Sequence, residues 1–176
     1  SDTPRANRLH IGIFGRRNSG KSTLINALTG QEIALVSEVA GTTTDPVYKS
    51  MEIHGIGPCV FIDTAGFDDE GELGRMRVEK TRQAAEKTDI ALMIFTEENI
   101  EEELKWIRVL RNRNTPIIAV VNKTDILNNT EEISRRIFER SGLIPIAISA
   151  KNETFIEKIR KEIIRLLPED YDTIGI

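Results

Sequence analysis

Short apolar runs alternate along the chain with longer stretches whose apolar residues recur at helical spacing. Leu9 to Phe14 is the first run, and a glycine-rich turn follows at once. Lys21 to Leu28 reads as a helix with Leu24, Ile25 and Leu28 inward. Gln31 to Asp45 has turn chemistry and little periodicity, the pattern of a mobile loop. Val47 to Ile53 and Cys59 to Ile62 read as strands, and His54-Gly55-Ile56-Gly57-Pro58 between them makes an antiparallel hairpin. Leu73 to Lys87 is a polar helix, and Ile90 to Phe95 is a buried strand. Glu97 to Arg111 is amphipathic, with Ile100, Leu104, Ile107 and Leu110 on one face. Ile117 to Val121 is a strand opened by Pro116, and Thr130 is placed to cap a helix through Arg140 with Ile133 and Ile137 inward. Leu143 to Ile148 is the last strand. Phe155, Ile159, Ile163 and Leu166 mark the last helix, which stops at Pro168.

This alternation predicts an α/β domain: a mainly parallel six-stranded sheet, one antiparallel edge strand from the hairpin, and helices on both faces. Ligands of such sheets bind at the carboxyl ends of the strands. The chain has 176 residues, enough for one domain and a sizeable core. A net charge of -4 argues against a broad nucleic-acid surface, which is normally basic, so nucleic acid is not an expected partner. The single cysteine, Cys59, can neither close an internal disulfide nor hold an iron–sulfur cluster alone, which points to a reducing, cytoplasmic setting. No apolar run approaches bilayer-spanning length, and the polar stretch Ser1 to Arg8 lacks the apolar core of a secretory signal, so no membrane partner is expected.

Candidate chemistry concentrates where strands end. Gly15-Arg16-Arg17-Asn18-Ser19-Gly20-Lys21-Ser22 matches the phosphate-binding pattern G-x-x-x-x-G-K-S/T between a strand and a helix. Its glycines let backbone N–H groups turn toward phosphate oxygens, and the helix N-terminus adds its dipole. Lys21 is expected to neutralise β- and γ-phosphates and Ser22 to ligate Mg²⁺. Thr23 follows in the same helical turn and is counted with Gly15, Asn18, Ser19 and Gly20 in the nucleotide site. Asp63-Thr64-Ala65-Gly66 ends the hairpin's second strand; Asp63 can hold the metal through water, and the Gly66 N–H can approach a γ-phosphate. Asn122-Lys123-Thr124-Asp125 closes the fifth strand, where the two acceptor oxygens of Asp125 suit the paired N–H donors on guanine's edge. Ser149-Ala150-Lys151 closes the sixth, where a backbone N–H can donate to guanine O6. Gly41-Thr42-Thr43-Thr44-Asp45 lies in the loop read as mobile, and Thr43 is favoured over Thr42 as a second Mg²⁺ ligand that lets go after hydrolysis. The expected ligands are therefore GTP or GDP and Mg²⁺. His10 and His54 lack partners at ligand spacing, Cys59 reads as core, and the acidic run Glu97, Glu98, Glu101, Glu102, Glu103 reads as complementing a helix N-terminus.

These motifs, in this order, resemble the P-loop GTPases with a Ras-like fold. Asn18 in the phosphate loop, Gly41-Thr42-Thr43 and Phe67 after Asp63-Thr64-Ala65-Gly66 resemble the branch that includes MnmE, Era and Der. A closer resemblance is to the HydF family, the maturation GTPases of [FeFe]-hydrogenase. It is carried by Asn7-Arg8-Leu9-His10-Ile11-Gly12-Ile13-Phe14-Gly15-Arg16-Arg17-Asn18, by Gly41-Thr42-Thr43-Thr44-Asp45-Pro46-Val47-Tyr48-Lys49, and by Asp63-Thr64-Ala65-Gly66-Phe67-Asp68-Asp69-Glu70-Gly71-Glu72-Leu73-Gly74. The resemblance implies a GTPase domain over residues 1–176, without the family's dimerisation and cluster-binding domains and with no iron–sulfur cluster in this chain. It implies a role in regulating a scaffold for hydrogenase cofactor assembly, with hydrogenase maturation proteins as partners and a homodimer formed through the switch regions or the missing domains. By likeness to MnmE it also implies K⁺ ligated by Asn18 and by carbonyls of roughly Val36 to Ala40.

Phe67 stands where Ras-like enzymes carry a water-orienting glutamine, and Glu70 and Glu72 are candidates that the spacing leaves unassigned. Two other readings stay open: a nucleotide-gated docking module with incidental hydrolysis, and an RNA-associated GTPase resembling Era.

Overall fold

The apolar runs form strands and the periodic stretches form helices in the computed structural model, which describes residues 8–17, 19–30, 45–64, 71–122, 129–148, 154–168 and 171. In chain order these are β1 (Leu9–Phe14), α1 (Lys21–Thr29), β2 (Val47–Ile53), β3 (Gly57–Asp63), α2 (Gly71–Glu86), β4 (Ile90–Phe95), α3 (Glu101–Asn112), β5 (Ile117–Asn122), α4 (Thr130–Ser141), β6 (Ile146–Ile148) and α5 (Thr154–Arg165). The strands make one six-stranded sheet in the order β2-β3-β1-β4-β5-β6. Only the hairpin pair β2/β3 is antiparallel; β1, β4, β5 and β6 run parallel to β3.

The central strand β4 shows why an unbroken apolar run is required. All its side chains are buried, and alternate ones enter different cores. Ile90, Leu92 and Ile94 pack with α1 residues Leu24, Ile25 and Leu28 and α5 residues Ile159 and Ile163. Ala91, Met93 and Phe95 pack with Leu104, Trp106, Ile107 and Leu110 of α3 and Ile133 and Ile137 of α4. Helices therefore cover both faces. Truncating Leu92 to alanine opens a cavity in the first core at a cost of about 2–5 kcal/mol.

Several element boundaries differ from the periodicity reading; β3, for one, begins at Gly57 rather than Cys59 and α2 at Gly71 rather than Leu73. α3 begins at Glu101 rather than Glu97, because Asn99 Oδ1 accepts the Glu101 N–H at 3.2 Å and turns the chain before the helix starts. β6 begins at Ile146 rather than Leu143: Pro145 brings no N–H to the ladder, and Ile144 is left exposed. Asn129, not Thr130, is the N-cap of α4, with no side-chain capping bond.

Candidate functional site

β1 delivers the chain from the buried Phe14 into the phosphate turn, and two glycines there are sterically fixed. A Cβ on Gly15 would lie 2.7 Å from Ser19 Oγ. Gly20 has φ 91, and a Cβ on it would lie 2.1 Å from Asn122 Nδ2. The crowding at Gly20 reflects a real link, since Asn122 Nδ2 donates to Ser19 O at 2.8 Å. The end of β5 thus pins the turn that opens α1. Lys21 is the first residue of α1 and is buried; its Nζ donates to Gly15 O at 3.4 Å and Arg16 O at 3.3 Å. Gly20 offers α1 no side-chain cap, and the first turn contains no acid. By contrast α3, α4 and α5 all carry glutamates there. An uncapped, acid-free helix start beside a buried ammonium favours an anion. Ser19 Oγ is buried nearby and has no hydrogen-bond partner among the described residues.

The other strand ends converge on the same edge. Asp63 closes β3 in register with Ile13 of β1 and is almost fully buried. Thr64 holds the chain there: its Oγ1 donates to Ile13 O at 2.8 Å. The half-buried Ser22 and exposed Thr23 follow Lys21 on α1. Asn122 and Ile148 are register partners, so β5 and β6 leave the sheet side by side just before Lys123 and Ser149.

Arg16 runs away from the turn toward α3. Its Nε donates to Glu103 Oε2 at 3.0 Å, and one terminal nitrogen donates to Glu103 Oε1 at 3.2 Å and to Asn99 O at 2.8 Å. The other terminal nitrogen pairs with Glu97. Glu103 is buried, and that burial holds its carboxyl above the usual carboxylate range despite the opposing pull of Arg16.

Residues 10–123 match the family described as 50S ribosome-binding GTPase. The chain belongs to that family. Similar proteins include GTPase Der of Wolinella succinogenes, 33% identical over 170 residues covering 90% of this chain and 36% of Der. The tRNA modification GTPase MnmE of Burkholderia thailandensis is 32% identical over 162 residues, covering 90% of this chain and 34% of MnmE. The chain thus spans about a third of the length of these relatives. Among solved structures, Aquifex aeolicus Era bound to GDP and AlF4⁻ superposes with a TM-score of 0.75 at 27% identity, over 95% of this chain and 59% of Era. Era in complex with MgGDPNP and a segment of 16S ribosomal RNA gives a TM-score of 0.76 at 27% identity, over 96% of this chain and 60% of that one.

In this GTPase domain the structure brings together Gly15, Ser19, Gly20, Lys21, Ser22, Asp63 and Asn122 at one edge of the sheet. Asn18, Thr43, Gly66, Lys123, Asp125, Ser149, Ala150 and Lys151 lie outside the described residues, as does Phe67. Sequence reasoning missed two things. It assigned Asn122 to the nucleotide without seeing its bond to Ser19 O, and it read Glu103 as part of a helix-start run although its carboxylate is spent on Arg16. Both are links between distant segments, which local pattern does not reveal. Among the described residues no helix is long and apolar enough to cross a membrane.

Proposed function

We propose that this GTPase domain binds GTP with Mg²⁺, hydrolyses it to GDP and phosphate, and uses the nucleotide state to regulate a scaffold for [FeFe]-hydrogenase cofactor assembly. The observation that carries the nucleotide part is the buried Lys21 at the uncapped, acid-free start of α1. Backbone N–H groups of the turn and first helical residues hold the phosphates, and Lys21 offsets their charge. Ser22 and Asp63 are a hydroxyl and a carboxylate on neighbouring elements at the same sheet edge, the hard oxygen donors that Mg²⁺ takes. Bound there, Mg²⁺ supplies charge stabilisation to the β- and γ-phosphate oxygens. Thr43 and Gly66 would serve the γ-phosphate side, Asn18 would hold K⁺, and Asp125 with Ser149, Ala150 and Lys151 would read guanine, with Lys123 counted in the same nucleotide site.

The hydrogenase part is supported by the resemblance carried by Asn7 to Asn18, Gly41 to Lys49 and Asp63 to Gly74. An RNA-associated role, as the Era complex has, fits less well with a net charge of -4. The deciding experiment is GTP turnover with Lys21→Ala. Loss of turnover, with an unchanged circular dichroism spectrum, is expected. Retained turnover would show that the phosphate site is elsewhere. Co-purification of the GTP-loaded and GDP-loaded full protein with hydrogenase maturation proteins tests the scaffold reading separately.

A further inference from the structure

We infer that Arg16 is a positioning residue for the nucleotide's phosphates, and that Glu103 on the first turn of α3 holds it in place. Two observations meet at Arg16. Its main-chain oxygen accepts both the Ser19 N–H at 3.2 Å and Lys21 Nζ at 3.3 Å, so the path of the phosphate turn and the placement of the lysine share one carbonyl. Its side chain is anchored by the paired oxygens of Glu103, by Asn99 O and by Glu97. A forked guanidinium–carboxylate pair fixes direction as well as distance. The anchor is a side chain 1% exposed in α3, whereas the residue it holds belongs to the loop that must cradle an anion. Fixing that carbonyl fixes where the Lys21 ammonium sits.

Stability alone is a weak reason for such a pair, because desolvating Glu103 cancels much of the attraction. What the pair supplies is registry between α3 and the phosphate turn. The same anchoring directs the guanidinium toward α3, so Arg16 does not serve as an arginine finger. The inference rests on the nucleotide reading above and adds to it a residue with no contact of its own to base or metal.

The test is release of GDP carrying an N-methylanthraniloyl reporter, chased with unlabelled GDP. Wild type is measured with Arg16→Gln, Glu103→Gln, the double variant and Arg16→Lys. Each glutamine substitution is expected to speed release about tenfold, the double variant to lie within about twofold of the faster single, and Arg16→Lys to fall between. Glu101→Gln, which breaks only the exposed bridge to Arg140 in the same helical turn, should release GDP like wild type. Melting without nucleotide should differ little between Glu103→Gln and wild type. Unchanged release in both single variants, additive effects in the double, or acceleration that follows the loss in melting temperature would overturn the assignment. If Arg16→Gln does not fold, Arg16→Lys completes the cycle with Glu103→Gln. Wild type that retains no labelled GDP would instead overturn the nucleotide reading itself.

Discussion

At the scale of single residues, burial decides what each group can do. Cys59 lies inside β3, and burial pushes its thiol from 9.0 up to about 12, with Glu52 adding to the shift. Because the folded value is raised, the native thiol stays protonated where the unfolded one ionises. Its contribution to stability is present below about pH 9 and is lost as pH rises toward 12. Native protein at pH 8 should resist iodoacetamide and react fully once unfolded in guanidinium, as mass spectrometry would show; rapid native labelling would mean that β3 opens readily. Base choice, as proposed above, would rest on Asp125. Asp125→Asn exchanges an acceptor for a donor opposite guanine and should weaken GTP on the order of 10²-fold or more, while xanthosine triphosphate gains. Equal GTP affinity in the two proteins would remove Asp125 from the base site.

At the scale of elements, helix ends show how backbone geometry and side-chain chemistry divide the work. α4 stops at Gly142, whose φ is 78 and whose N–H donates to Phe138 O at 2.8 Å. A Cβ there meets nothing within 4 Å, so Gly142→Ala probes left-handed strain alone and should cost about 1 kcal/mol in urea unfolding. α1 ends on Gly30 in the same way and is held further by Arg160 of α5, which donates to Leu28 O at 3.2 Å. Such ends explain what was legible beforehand. Strands and helices with a strong period, such as Ile90–Phe95 and the face of Ile133 and Ile137, were readable because one residue after another enters a core. The turn from β1 into α1 was readable because its glycines and lysine follow a fixed spacing, and the structure gives Gly20 a positive φ and buries Lys21. The start of α3 was not, because an Asn99 side chain sets it within an otherwise amphipathic stretch. The short β6 was not, because Leu143 and Ile144 are apolar whether or not they pair. Arg111 of α3 donates to Ser141 O of α4 at 2.6 Å, and Arg136 of α4 donates to Glu98 O in the segment before α3 at 3.2 Å, links between distant segments that local pattern does not reveal.

At the scale of the whole molecule, the phosphate turn is braced from two sides, by β5 through Asn122 and by α3 through Glu103. With Phe67 in place of the glutamine, no arginine in a motif that marks it as a finger, and Arg16 turned toward α3, this domain is expected to turn over slowly, on the order of 10⁻³–10⁻² s⁻¹. A monovalent cation held by Asn18 would supply the missing positive charge between the phosphates. GTP turnover should therefore rise in K⁺ over Na⁺ at equal ionic strength, and the gain should vanish in Asn18→Ala. Identical rates in both salts would take K⁺ out of the reaction.

Because β1 and β3 to β6 are parallel, the turns at their amino ends gather opposite the nucleotide edge: the hairpin turn at His54 to Ile56, Lys87 to Asp89, and Gly142 to Pro145. The two edges are thereby free to vary under different pressures. A peptide spliced between Gly142 and Leu143 would leave the domain on its far side, next to the exposed Ile144, with the whole thickness of the sheet between it and the phosphates. For anyone building a reporter or tethering this domain to a surface, that turn is the handle by which the molecule can be held while its working edge stays open.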